Sequence, residues 1–202
     1  MNALTLAQHD DTPVEDQIVV LRGATWADFE RLLEIRGDTG GPRIAYLDGS
    51  VEVMSPSKSH ELLKSKIGRL VEVWCLERDL TFEVVGSWTL KDQPKESGLE
   101  PDECYVFGDQ PDAERPDLAI EVIWTSGGLS KLEIYKRLGV REVWHWRRGA
   151  LEVHVLRDGE YEARERSEVL PGIDLKELVS HLEQPASAAI RAYREVLQKN
   201  RH

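Results

Sequence analysis

Two carboxylates and an amine stand out by where they fall. Glu121 sits inside the apolar run Leu118-Ala119-Ile120-Glu121-Val122-Ile123-Trp124, which otherwise reads as a strand buried on both faces. An isolated ionised carboxylate in such surroundings is very costly, so Glu121 must be neutral, paired or bound to a cation. Asp102 follows Pro101 at the head of the preceding strand, and Lys131 comes after the run, near the start of a helix. Carboxylates on adjacent strands supply the oxygen ligands that a hard cation such as Mg²⁺ or Mn²⁺ takes, with water and substrate phosphate completing the shell. A cation held there lowers the pKa of a bound water and stabilises charge on a scissile phosphate, and a nearby lysine orients that water or steadies the charge.

Each of these residues also has a plainer reading. Glu121 can form a structural ion pair with Lys131, and Asp102 can cap a turn. Asp117 shares the strand face of Glu121 and competes for the cation, or serves as the entry-turn residue. Lys136 is the alternative lysine. Lys131 is preferred because it lies nearer the carboxyl ends of the strands, where ligands collect in open α/β sheets. Tyr135 is expected to pack against the sheet rather than to bond within the site. Trp144 and Trp146, flanking His145, read as core or a subunit interface rather than as a platform for stacked bases. Gly127-Gly128 lacks the rest of a phosphate-loop pattern and reads as a tight strand-to-helix turn.

The elements that must position these groups follow from periodicity. Residues 118–124, 129–138 and 140–146 read as strand, helix and strand, with a crossover long enough for parallel pairing. Upstream, residues 23–35 read as a helix, with Thr25 as N-cap and Asp28 in a capping-box position. Residues 43–47 and 51–54 alternate across Asp48-Gly49-Ser50, a hairpin signal. His60 opens a long amphipathic helix. Residues 81–90 and 101–107 read as strands separated by a polar loop at 91–100. Residues 151–157 and 161–166 make a hairpin around Asp158-Gly159, followed by a short helix from Asp174 and a last helix at 185–199. This order predicts an α/β fold built on one mixed sheet flanked by helices. Residues 1–18 read as a flexible leader and residues 19–202 as a single domain.

Bulk properties narrow the function classes. A chain of 202 residues suffices for one well-packed domain. It has no apolar run near the ~20 residues of a membrane span. Residues 1–16 are polar and acidic and lack the basic-then-apolar order of a secretory signal. The two cysteines, Cys75 and Cys104, make neither a disulfide framework nor a zinc site. A cytoplasmic protein is expected. The net charge of −11 is the reverse of the basic surface by which non-specific nucleic-acid binders neutralise phosphate. It argues against tight, unassisted binding and leaves nucleic acid open as a substrate approached through a local basic patch or bound cations.

Taken as an ordered set, the motifs resemble the PD-(D/E)XK nuclease superfamily, and within it the Uma-two family of putative restriction endonucleases. The residues that carry the resemblance are the Asp48-Gly49 turn into Val53-Met54-Ser55-Pro56, His60 opening the next helix, Pro101-Asp102, Pro116-Asp117-Leu118-Ala119-Ile120-Glu121-Val122, and Lys131 with Tyr135 ahead of Gly139-Val140-Arg141-Glu142-Val143-Trp144. The set covers about residues 23–175. The superfamily usually places its lysine two residues after the second acid. Here that residue is Ile123, and the resemblance to the Uma-two branch implies Lys131 as the displaced lysine. The resemblance implies a restriction-endonuclease-like fold, Mg²⁺ or Mn²⁺ on Asp102 and Glu121, His60 as ligand or general base at the cleft edge, DNA as transient substrate, and a homodimer. Where the family often carries Glu after Asp-Gly, this chain has Ser50, and Glu52 on the same strand face is the replacement. The alternative, motivated by the acidic charge and by Ile123, is a non-catalytic binding or assembly module on the nuclease fold. Hydrolysis of RNA is a third reading.

Overall fold

Side-chain alternation along the central strands decides how the chain layers. In β8 (Leu118–Val122) every residue is buried. Leu118, Ile120 and Val122 belong to one apolar cluster, while Ala119 belongs to another and Glu121 follows on that second face. β9 (Glu142–Arg147) repeats the division, with Trp144 and Trp146 in the first cluster and Val143 in the second. The two strands pair in parallel, Ile120 with Trp144 and Glu121 with His145, as the long crossover requires.

The computed structural model describes residues 15–86, 88–124 and 127–200. A six-stranded sheet has the order β11-β10-β9-β8-β7-β4, with β4 at Phe82–Val84, β7 at Glu103–Phe107, β10 at Ala150–Arg157 and β11 at Glu160–Arg164. It is mixed: β8–β9 is parallel and its other pairings are antiparallel. One face carries the larger cluster, packed beneath α2 (Lys58–Glu77), α4 (Leu175–Ser180) and α5 (Ala186–Lys199). The other face carries α3 (Lys131–Leu138).

The single sheet expected from the sequence is in fact two. A five-stranded sheet, order β1-β3-β2-β6-β5, comprises β1 (Gln17–Arg22), β2 (Arg43–Leu47), β3 (Ser50–Ser55), β5 (Leu90–Asp92) and β6 (Ser97–Leu99). The stretch 81–90, expected as one strand, divides: β4 joins the larger sheet and Leu90 starts β5 in the smaller one. The expected polar loop at 91–100 holds a single 3₁₀ turn and β6. α1 (Trp26–Arg36) packs Trp26 and Phe29 against Ile44, Tyr46 and Val51 of the smaller sheet. Its capping box is formed as expected: Asp28 N–H donates to Thr25 Oγ1 at 3.2 Å, and Thr25 N–H donates to Asp28 Oδ2 at 2.7 Å.

Two further corrections concern the ends and the tryptophans. The expected leader stops short of residue 18, because Gln17–Arg22 pairs antiparallel with β3 and Asp16 is buried. Residues 1–14 lie outside the described residues, as do Thr125 and Ser126 of the turn after β8. Trp144 and Trp146 are core residues; they offer neither a stacking platform nor a subunit surface, so that motive for a homodimer falls. No described helix is long and apolar enough to cross a membrane.

Candidate active site

The sheet register sets a row of polar residues on the α3-bearing face. β7 pairs Glu103 with Ile120, so the next position places Asp102 opposite Glu121. Glu121 pairs with His145, and His145 pairs with Glu152 on β10. Residues directly opposite on neighbouring strands share a face, so four adjacent strands deliver Asp102, Glu121, His145 and Glu152 side by side. A cavity of about 340 Å³ opens over the Glu121–His145–Glu152 part of this row, lined also by His154 from the larger sheet, Glu52 from the smaller one, and Lys131 from α3, with Asp102 outside its lining.

Lys131 reaches the cavity because it is the first residue of α3, whose N-cap Ser130 accepts from Glu133 N–H. Its ammonium lies 3.0 Å from Glu52 Oε1. The other Glu52 oxygen accepts from Leu129 N–H at 2.6 Å. Any side chain at 128 would collide with the Glu52 carboxylate, so the second glycine of the strand-to-helix turn makes room for an acid rather than for a phosphate. Lys136, the alternative lysine, points away and pairs with Glu133 at 2.7 Å and Glu160 at 3.2 Å. Ile123, at the usual lysine position, lines the cavity as an apolar wall.

Glu121 is 3% exposed, and the pairing with Lys131 expected from the plainer reading is absent. Instead Oε1 accepts a short hydrogen bond from the Tyr135 hydroxyl. Tyr135 therefore does bond in the site, contrary to the expectation of packing alone. Burial, followed by the Glu121 charge, holds its phenol well above the ordinary tyrosine range, so it stays a donor. Among the described residues the second Glu121 oxygen takes no hydrogen bond, and Glu121 faces the cavity.

Asp102 and His60 form a buried relay at the edge of the row. Asp102 Oδ2 accepts from Val122 N–H at 2.7 Å and lies 2.8 Å from His60 Nε2. Asp102 Oδ1 faces the Arg43 guanidinium as an ion pair and is buried without an aligned hydrogen bond. His60 Nδ1 lies 2.8 Å from Asp16 Oδ2, and Asp16 Oδ1 accepts from Ser57 N–H at 2.8 Å. His60 is fully buried, not a residue of the cleft rim, and both its ring nitrogens are engaged. Burial lowers its pKa from the ordinary histidine value against the opposing pull of Asp16. Asp117 is the entry-turn residue, with Oδ2 accepting from Phe107 N–H at 2.9 Å.

A carboxylate offers about four acceptor positions. Glu121 retains capacity at its second oxygen, and Glu52 adds a second carboxylate at the cavity. These are the hard oxygen donors that a Mg²⁺-type cation takes; Asp102 lies outside the cavity lining, and its Oδ1 joins such a set only by exchanging the Arg43 guanidinium for the cation. Asp16 and Arg43 were not legible as site residues: Asp16 lay in the expected leader, and Arg43 carried no motif. His145 was visible between the two tryptophans, and Glu152-Val153-His154 repeats the same alternation on β10.

The mixed sheet with its parallel β8–α3–β9 unit, and the acidic row beside a lysine at the head of α3, are those of the restriction-endonuclease-like class. The family model of Uma2 (the Uma-two family), described as putative restriction endonuclease, matches residues 26–188, and the chain belongs to that family. No curated protein matches the chain.

Proposed function

We propose that the chain is a metal-dependent nuclease that hydrolyses phosphodiester bonds, with DNA as its substrate. The observation that carries this reading is Glu121: a carboxylate buried in an apolar strand, with one oxygen fixed by Tyr135 and the other without a hydrogen bond among the described residues, on the wall of a cavity that also holds Lys131. Glu121, joined by Asp102 once its Oδ1 exchanges Arg43 for the cation, would hold Mg²⁺ or Mn²⁺, which when bound would supply an activated water and offset charge on the scissile phosphate. Lys131, kept at the cavity by Glu52, orients the attacking water and steadies the developing negative charge. His60 is a positioning residue: with Asp16 behind it and Asp102 in front, it fixes the Asp102 carboxylate. The cavity wall sets Lys131 and Arg147 against Asp16, Glu52, Glu121 and Glu152, and Lys131 is already paired with Glu52, so a polyanion approaching a chain of −11 needs bound cations to offset this field. The homodimer belongs to the same proposal, and a monomer by light scattering removes it without touching the site.

The test is cleavage of plasmid and short duplex DNA with Mg²⁺ or Mn²⁺, beside a matched RNA. Wild type should cleave DNA and stop when the metal is chelated. Folded Glu121→Gln should lose about 10²-fold or more, the scale of removing a group that stabilises transition-state charge. A folded Glu121→Gln that cleaves at the wild-type rate overturns the assignment. The charge pairing within the site, Lys131 with Glu52 and Arg43 with Asp102, favours a second reading, a non-catalytic binding module. Metal-independent nucleic-acid binding without cleavage by wild type would select it.

A further inference from the structure

On the same sheet face, beyond Glu121, stands a second group of ligating side chains with different chemistry. His145, Glu152 and His154 each present one ligand atom, and these atoms lie within 4.8 Å of one another. The register explains the grouping. His145 pairs directly with Glu152 across β9–β10, and His154 follows on β10 with the same side-chain parity. The two imidazole rings stand 4.9 Å apart, tilted by 60°.

Neither imidazole Nε2 has a hydrogen-bond partner among the described residues. His145 is 4% exposed, lines the cavity, and its Nε2 is buried with no hydrogen-bond partner among the described residues. The same holds for His154 Nε2, whose nearest acid, Glu152 Oε2, is 4.0 Å away. Buried polar groups are nearly always satisfied, and an orphaned one asks for a reason such as an ion. Two neighbouring orphaned ring nitrogens, with an exposed carboxylate beside them, are the donor set of an ion that prefers imidazole.

We propose that His145, Glu152 and His154 form a second metal site, selective for a Zn²⁺-class divalent cation and separate from the all-oxygen Asp102–Glu121 site. Imidazole suits Zn²⁺, Co²⁺ or Ni²⁺, whereas carboxylate oxygens suit Mg²⁺ and Mn²⁺. Ligand atoms about 2.0–2.1 Å from a tetrahedral centre lie ~3.3 Å from one another. The group must therefore contract modestly, which Glu152 and His154, the two more exposed members, can do by side-chain rotation. Three protein ligands leave a fourth position open for water or an anionic oxygen, the arrangement of a working rather than a purely structural zinc site. Because His145 pairs with Glu121, that position shares the cavity with the carboxylate site, while each site keeps its own ligands.

Full-length protein stripped of metal is titrated with Zn²⁺ by calorimetry and with Co²⁺ by its visible absorption. Wild type should take up one Zn²⁺ at this site, with Co²⁺ giving a ligand-field spectrum that Zn²⁺ abolishes. His154→Asn and Glu152→Gln change partly exposed side chains, so they keep the test open even if His145→Asn fails to fold. Each should weaken Zn²⁺ by about 100-fold or more, the upper end of what loss of an outer-sphere partner alone costs. Glu121→Gln should leave Zn²⁺ affinity and the Co²⁺ spectrum unchanged, so this site and the nuclease reading can fail independently. Folded wild type that binds no Zn²⁺, or folded His154→Asn and Glu152→Gln that bind it as wild type does, overturns the proposal. So does a Co²⁺ spectrum lost in Glu121→Gln.

Discussion

On β9, Trp144 and Trp146 enter the helix-covered face, while His145 between them faces the cavity. On β8, Ile120 and Val122 go with the tryptophans, and Glu121 goes with the histidine. On β10, Val153 and Val155 are core, while Glu152 and His154 line the cavity. The two faces are thus made by the same three strands, one residue out of phase. The helix-covered face gains stability from buried apolar area. The opposite face has its own apolar cluster, with Ala119 and Val143 packed with Ile134 and Tyr135 of α3, but at Glu121, His145, Glu152 and His154 it opens to the cavity and gathers carboxylates and imidazoles that must be held by hydrogen bonds and counter-charges. Stability and chemistry are divided between the faces of one sheet, and substitutions should separate them.

The largest expected effect is on the helix-covered face. Trp144 is fully buried, and its indole N–H donates to Glu142 Oε1 at 2.6 Å. Trp144→Ala should cost about 3–5 kcal/mol, read from the urea unfolding midpoint. On the neighbouring strand, Glu121→Gln should cost no more than about 0.5–1.5 kcal/mol, the scale of one hydrogen bond. A Glu121→Gln as destabilising as Trp144→Ala would erase the division between the faces.

The edge of the cavity face gives an intermediate case. Asp16 is buried and satisfies both His60 Nδ1 and Ser57 N–H. Asp16→Ala leaves these without their acceptor and should cost about 1–3 kcal/mol. Under the nuclease reading it should also lower cleavage through a displaced Asp102, whereas Asp16→Asn should restore part of both. An unchanged unfolding midpoint in Asp16→Ala would mean that His60 needs no support from this side.

The smallest effect is a null one on the sealed face. Cys75 lies in the helix-covered core, where burial, then the Glu72 charge, pushes its thiol up to about 12. The fold favours the neutral thiol, so thiolate, the reactive form, is scarce until the pH approaches that value. At pH 8 a thiol reagent should modify Cys75 in a Cys104→Ala background no faster than the protein unfolds. Faster labelling would show that this face opens on its own.

The parallel strand–helix–strand unit, the capping box at Thr25 and the misfit of Glu121 were all legible in the residues, because each depends on local periodicity or on the cost of one charge in an apolar run. Lys131 was separable from Lys136 by its place at the helix start. Other features depended on contacts far apart in the chain. The split of residues 81–90 between two sheets reflects which edge each half could pair with, and short strands carry little periodicity of their own. Nothing in the sequence neighbourhood of Asp16 reveals that it will meet His60, 2.8 Å away in space. Glu52 meets Lys131 only through the second sheet, and the Tyr135 hydroxyl reaches Glu121 only because α3 packs over β8.

By itself, the sequence determined which residues carry charge where charge is expensive, and which strands and helices bear them. Those are local properties, set by side-chain type and by the two-residue and 3.6-residue repeats of strand and helix. Only the tertiary structure decided who partners whom: Tyr135 with Glu121, Glu52 with Lys131, Asp16 and Asp102 with His60, and His145 beside Glu152 and His154. Pairing is decided by sheet register and by the stacking of two sheets. A carboxylate's partner is whichever group the register and layering bring within about 3 Å, and no spacing along the chain encodes that distance.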